Sequence, residues 1–153
     1  MKRVAAALIM ALFATGAAAS SPEPPAAPTQ VQDRPALERL LGASGMTLQW
    51  LSWTSSERGQ VDLSWQDRAL FLKGEQRGTD GTGRVSVNGH VVRISADEFI
   101  LNGTIIIEDT PDAGRRCEKS GEWRFAVTQN RKYWRLRQFE WCDYLTDYID
   151  IYF

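Results

Sequence analysis

Hydrophobic and polar residues alternate at every second position in three stretches of the chain. Val61, Leu63 and Trp65 alternate with Gln60, Asp62 and Ser64. Trp123, Phe125 and Val127 alternate with Glu122, Arg124 and Ala126, and Ile149, Ile151 and Phe153 with Tyr148, Asp150 and Tyr152. A period of two sends one set of side chains to a core and the other to water, which is the pattern of a half-buried β-strand. Less regular stretches at 46–53 and 69–76 read as further strands. Turn-rich joints at 55–59, 78–83, 110–114 and 129–132 separate these segments.

The middle of the chain holds a weak repeat: LFLKGEQ around Gly74, VSVNGHV around Gly89 and FILNGTI around Gly103. Asn-Gly pairs commonly turn hairpins. In the third copy, however, Phe99, Leu101, Gly103, Ile105 and Ile107 share one face only if the strand runs straight through. The parity therefore predicts one long strand, bent at a glycine where a curved sheet closes. The second copy leaves two options open. A hairpin turn at Asn88 and Gly89 would put Val85, Val87, Val92 and Ile94 on one face, and a bulge there would serve as well.

Only one helix is predicted, over 33–41. Asp33 caps it, Pro35 suits its first turn, Leu37, Leu40 and Leu41 fall on one side, and glycines end it. So short a helix needs a sheet to dock on. The pattern as a whole gives an all-β fold, an antiparallel meander of about eight strands closing into a small barrel or a strongly curved sheet, with a short N-terminal helix that could plug one end.

Composition changes this picture mainly at the N-terminus. Residues 1–19 carry Lys2 and Arg3, an apolar run from Val4 to Phe13, and Ala17 and Ala19 at a cleavage position. They read as a signal peptide, with an apolar run too short to span a bilayer. Residues 20–32, rich in proline, read as a disordered or extended tether, leaving 33–153 as a single β-barrel-like domain. The expected location is periplasmic or secreted. The formal net charge is −1, or −3 once Lys2 and Arg3 are removed, which is a poor basis for nucleic-acid binding. Cys117 and Cys142 are the two cysteines of the chain, and in an exported protein they read as one disulfide tying the last third together.

Candidate chemistry is sparse. His90 is the single histidine, and no Gly-x-Ser-x-Gly or His-Glu-x-x-His pattern occurs. Carboxylates cluster at Glu108, Asp109 and Asp112 and again at Asp143, Asp147 and Asp150, and they read as solvated turns unless two converge at hydrolytic spacing. The feature that stands out is RKYWRLRQ. In a strand, Tyr133, Arg135 and Arg137 share one face, and the last strand presents Tyr148, Asp150 and Tyr152 opposite its apolar side. Tyr and Arg together offer stacking and directed hydrogen bonds at modest entropic cost. These six residues are the candidate ligand-binding set. The bland alternative is cross-strand pairing of Arg135 or Arg137 with Asp150.

Trp50, Trp65 and Trp123 read as core, while Trp141 precedes Cys142 and reads as packing on the disulfide. The predicted function is a non-enzymatic binding module for a small polar ligand or an exported protein partner, with no cofactor, metal or nucleic acid. The alternatives are a hydrolase using two carboxylates and an eight-stranded outer-membrane barrel, whose chains often end in an aromatic residue like Phe153.

Overall fold

The structure is a computed structural model that describes residues 25–53 and 57–153. The expected leader, its cleavage site and part of the 55–59 joint lie outside the described residues. Eight antiparallel strands, β2 to β9, wind into a nearly closed barrel in the order β2-β9-β8-β7-β6-β5-β4-β3. Their spans are Gly45–Leu48 (β2), Gln60–Gln66 (β3), Ala69–Arg77 (β4), Arg84–Ile94 (β5), Glu98–Glu108 (β6), Arg116–Ala126 (β7), Tyr133–Leu136 (β8) and Ile149–Tyr152 (β9). The gap between β2 and β3 is bridged at one point, where Met46 and Gly59 exchange backbone hydrogen bonds of 2.8 and 3.1 Å.

The alternation seen in the sequence sets the two faces. Val85, Val87, Leu101, Ile105, Ile107, Phe125, Trp134, Leu136, Ile149 and Ile151 are all fully buried inside. The helix α1 (Arg34–Leu41) closes the end at which β5 turns into β6. Asp33 caps it by accepting from Ala36 N at 2.7 Å, and the Arg39 guanidinium donates to Ala96 O at 2.7 Å. Its buried residues are Ala36, Leu37 and Leu40. Leu41, expected on the same side, is 44% exposed, because the helix ends there at Gly42.

β6 is the straight strand that parity required, and β5 resembles it. Neither turn nor bulge occurs at Asn88 and Gly89. The register shift lies at Val92 instead, and it turns Ile94 back into the core. Gly89 pairs with Gly103, and Gly103 with Gly121. A Cβ built on Gly89 would lie 2.6 Å from the Cα of Gly103, so the backbones of β5 and β6 approach there too closely for a side chain to fit.

Three further expectations change. The stretch 46–53 is not one strand: β2 stops at Leu48 and α2 (Gln49–Ser52) makes a single helical turn. Leu48 and Leu51 are buried, and Trp50 meets Trp53 at 5.0 Å, both at helical three-residue spacing. Buried Gln76 fixes that change of direction by accepting from Leu48 N at 2.7 Å and donating to Glu57 O at 3.2 Å. Trp65 is 46% exposed rather than core, and Trp50 is half-buried; Trp123 is buried and stacks edge-on with Trp141 at 5.3 Å. Finally, ordered contacts begin within the stretch read as tether. β1 (Gln30–Val31) pairs in parallel with β5, and Thr29 Oγ1 donates to Val91 O at 2.6 Å.

Candidate functional site

The last third of the chain builds two arginine–carboxylate clusters, one at the rim of the barrel and one on its wall. The wall cluster follows from the alternation of β8 and β9. Trp134, Leu136, Ile149 and Ile151 fill the interior, so Tyr133, Arg135, Asp150 and Tyr152 project from the other side. The pairing sets Arg135 beside Asp150 and Tyr133 beside Tyr152.

Arg135 Nε and Nη2 donate to the two Asp150 oxygens at 2.7 Å each, a bidentate pair on side chains that are 17% and 7% exposed. These hydrogen bonds to Asp150 hold the Arg135 pKa above its ordinary value. Its guanidinium carbon lies 4.1 Å from the Tyr148 ring centroid and 5.2 Å from that of Tyr133. Tyr133 and Tyr152 meet at 5.2 Å, and the Tyr152 hydroxyl is 3.2 Å from Thr47 Oγ1 on β2.

Five of the six sequence-derived candidates therefore form one contiguous surface. Arg137 stands just past the end of β8 and joins through Phe139, over whose ring it lies at 5.7 Å; Phe139 in turn meets Tyr148 at 5.3 Å. Phe139 was missed although it continues the same alternation: 133, 135, 137, 139. Arg58, 3.8 Å over the Tyr152 ring, and Arg131, 5.7 Å from Tyr133, were also missed. Arg58 comes from a distant joint, and nothing local announces it.

The electrostatics of this face are unbalanced. Among the described residues, Arg58, Arg131, Lys132 and Arg137 make no ion pair, and Nη1 of Arg135 has no hydrogen-bond partner. The expected cross-strand pair exists, but it occupies two of the three nitrogens of one arginine and leaves the flanking cations without a carboxylate among the described residues, although Arg58 donates to Ser44 Oγ at 2.8 Å.

The rim cluster is different in kind. Arg115 lies just before β7, and its side chain is 5% exposed. It donates from Nε and Nη2 to Asp143, from Nη1 and Nη2 to Asp147, and from Nη1 to Thr110 O, at 2.8 to 3.0 Å. Asp147 is fully buried and also accepts from Trp50 Nε1 at 2.9 Å. The bonds to Arg115 push the Asp143 pKa below the usual carboxylate range. Cys117 and Cys142 are joined in a disulfide directly beside Asp143. Among the described residues, the group of possible metal-ligating atoms lying close together is Cys117, Cys142 and Asp143, and its sulfurs are bonded to each other.

The other carboxylate cluster has a structural use as well. Glu108 pairs with Arg84 at 2.8 Å and with Arg116, and Asp109 Oδ1 accepts from Gly114 N at 2.8 Å within its turn. His90 sits on the outer surface beside Phe71, with ring centroids 5.9 Å apart.

A protein of Pasteurella multocida (strain Pm70), described as the uncharacterized protein PM1083, is 38% identical over 117 residues, covering 75% of this chain and 74% of the relative. No solved structure matches the chain significantly. The PM1083 family itself matches residues 28–153, from just before β1 to the last residue, and the chain belongs to that family.

Proposed function

We propose that the protein is an exported, non-enzymatic binding module that recognises an acidic protein partner through the outer wall of β8 and β9. The observation that carries this reading is the Arg135 guanidinium, which lies over the Tyr148 and Tyr133 rings with no hydrogen-bond partner on Nη1, in a surface whose flanking cations have no carboxylate partner among the described residues. A carboxylate on a partner would find there directed donors, a positive field and aromatic rings to pack on.

The filled interior favours a partner met at the surface over a small ligand carried inside. Export is supported by the leader-like sequence together with a formed disulfide, which persists in oxidising compartments. The non-enzymatic reading draws on the carboxylates: Glu108, Asp143, Asp147 and Asp150 are each held by an arginine. Against a membrane-embedded barrel stands the outer face of β4 to β6, which bears Lys73, Glu75, Arg77, Ser86, Asn88, Asn102 and Thr104 where lipid would need an apolar band. None of the described helices is long and apolar enough to cross a membrane.

The test uses wild-type protein and the Arg135→Ala/Tyr148→Ala variant as matched baits for exported proteins, quantified by mass spectrometry. A polyglutamate peptide titrated against both serves as a defined anionic probe. Loss of retained proteins and of probe binding in the variant is the expected result. Equal retention and equal affinity would remove the site assignment.

A further inference from the structure

We propose that the open seam of the barrel is a dimerisation edge, at which β3 pairs antiparallel with β3 of a second copy about a two-fold axis through Leu63. The seam exists because β2 is short: it covers four residues, whereas β3 covers seven, and the two meet only at Met46 and Gly59. Beyond that point the chain before β2 turns away into α1, and β3 pairs with β4 alone.

Backbone parity identifies the groups left over. In an antiparallel ladder, alternate residues direct both their N–H and their C=O to the same neighbour. Gly59 directs both to Met46, so Val61, Leu63 and Trp65 direct theirs to the seam, and Gln60, Asp62, Ser64 and Gln66 direct theirs to β4. Among the described residues, no hydrogen bond reaches the seam side of those three. Val61 and Leu63 are half-buried, and Trp65 is 46% exposed. The devices that usually guard such an edge, a proline or an outward lysine, do not occur in Gln60–Gln66.

The sequence of β3 is complementary to itself in one register. With Leu63 opposite Leu63 of the second copy, Val61 faces Trp65, and all three seam-directed residues of each strand exchange hydrogen bonds with their counterparts. Asp62, the one charge in the strand, falls opposite Ser64, and Gln60 falls opposite Gln66, so no like charges meet. Lys73 on β4 already sits beside Asp62 on the same face. Moving the axis to Asp62 would set two aspartates against each other and require Gly59, which is already bonded to Met46. Moving it to Ser64 loses Val61 from the ladder. The isologous pairing centred on Leu63 thus uses every open group and meets no electrostatic penalty.

This inference is independent of the β8–β9 face, which is separated from the seam by β2. A dimer would present two copies of that face and bind a multivalent partner more tightly than one copy can.

Sedimentation of the wild-type protein across the micromolar to millimolar range should show a reversible monomer–dimer equilibrium. A monomer throughout overturns the proposal. Leu63→Pro removes only the seam-directed N–H and keeps the β4 ladder, whereas Leu63→Lys places two charges face to face on the axis. Both should be monomeric under conditions where the wild type is dimeric, with the melting temperature of the dilute monomer and the native disulfide checked in parallel. A dimer that survives in whichever variant remains folded also overturns it. The register is read from cysteine pairs under mild oxidation: Asp62→Cys/Ser64→Cys should give covalent dimers, and Asp62→Cys/Gln66→Cys should not. The reverse pattern overturns the axis at Leu63.

Discussion

Arg115 and Arg135 carry the same chemistry to different ends. Each forms a bidentate pair with an aspartate from the last twelve residues, and each belongs to the disulfide-bonded last third of the chain or borders it. Arg115 uses all five of its N–H donors on its own chain and is nearly sealed from solvent. Arg135 spends two nitrogens on Asp150, lies against two tyrosine rings and leaves Nη1 open. A saturated guanidinium has nothing left for a ligand, so Arg115 is a clasp. An unsaturated one held by its neighbours has its ordering cost met in folding, and that is the basis of the binding role proposed for Arg135.

The comparison can be broken most directly by alanine. Arg115→Ala leaves the fully buried Asp147 with only the Trp50 indole as a partner, so it should cost about 3–5 kcal/mol of unfolding free energy. Arg135→Ala strands Asp150 closer to solvent and should cost about 1–3 kcal/mol. Denaturant titration of both variants measures the gap. Equal losses would mean that the wall pair is also primarily structural.

Comparable to the loss expected at Arg115 is that of the disulfide. Cys117→Ser/Cys142→Ser releases a loop of 25 residues, worth about 3.5 kcal/mol in the chain-entropy model. The disulfide and Arg115 hold the same segment, from Cys142 to Asp147. Removing both should therefore cost less than the sum of the separate losses. Strict additivity in a double-mutant cycle would show that they secure different parts of the fold.

What the sequence disclosed and what it hid follow one rule. Strand parity is local, so β3, β6, β7 and β9, the joints between strands and the disulfide could be read from residues near one another in the chain. The five-residue wall surface was legible for the same reason. The clasp was not: Arg115 follows the turn at 110–114, Asp147 sits in an irregular segment, and Trp50 comes from α2, so their meeting depends on how the barrel closes. The 46–53 stretch misled because five apolar residues at mixed spacing fit a strand as well as a helical turn, and the deciding group, Gln76, lies on another strand. Val92 likewise gives no sign of its bulge until Ile94 has to be returned to the core.

Acid should test the rim cluster more gently. Asp143 titrates below its unfolded value, so its contribution is present above an ordinary aspartate pKa of about 3.9 and is lost as pH falls through the lower folded value. Wild type should therefore be more stable than Asp143→Asn near neutrality, with the difference shrinking as the pH is taken below about 3.9. A stability difference unchanged by acid would mean that the Asp143 bonds to Arg115 do not depend on its charge.

The smallest expected effect on folding is also the sharpest test of the wall. Arg137 makes no ion pair among the described residues and touches the cluster only through the Phe139 ring, so Arg137→Ala should change stability by no more than about 0.5 kcal/mol. If the face is built to meet an acidic partner, the same substitution should still weaken polyglutamate binding and flatten its salt dependence, since one of the open cations is gone. Arg116 offers a control of matched charge, because it is exposed and already bridged to Glu108 and Glu118. Arg116→Ala should leave probe binding nearly unchanged. If both arginines matter equally, the probe senses overall charge rather than the Tyr133–Tyr148 surface. If only Arg137 matters, the open cations beside Arg135 are what distinguish this wall from the clasp at the rim.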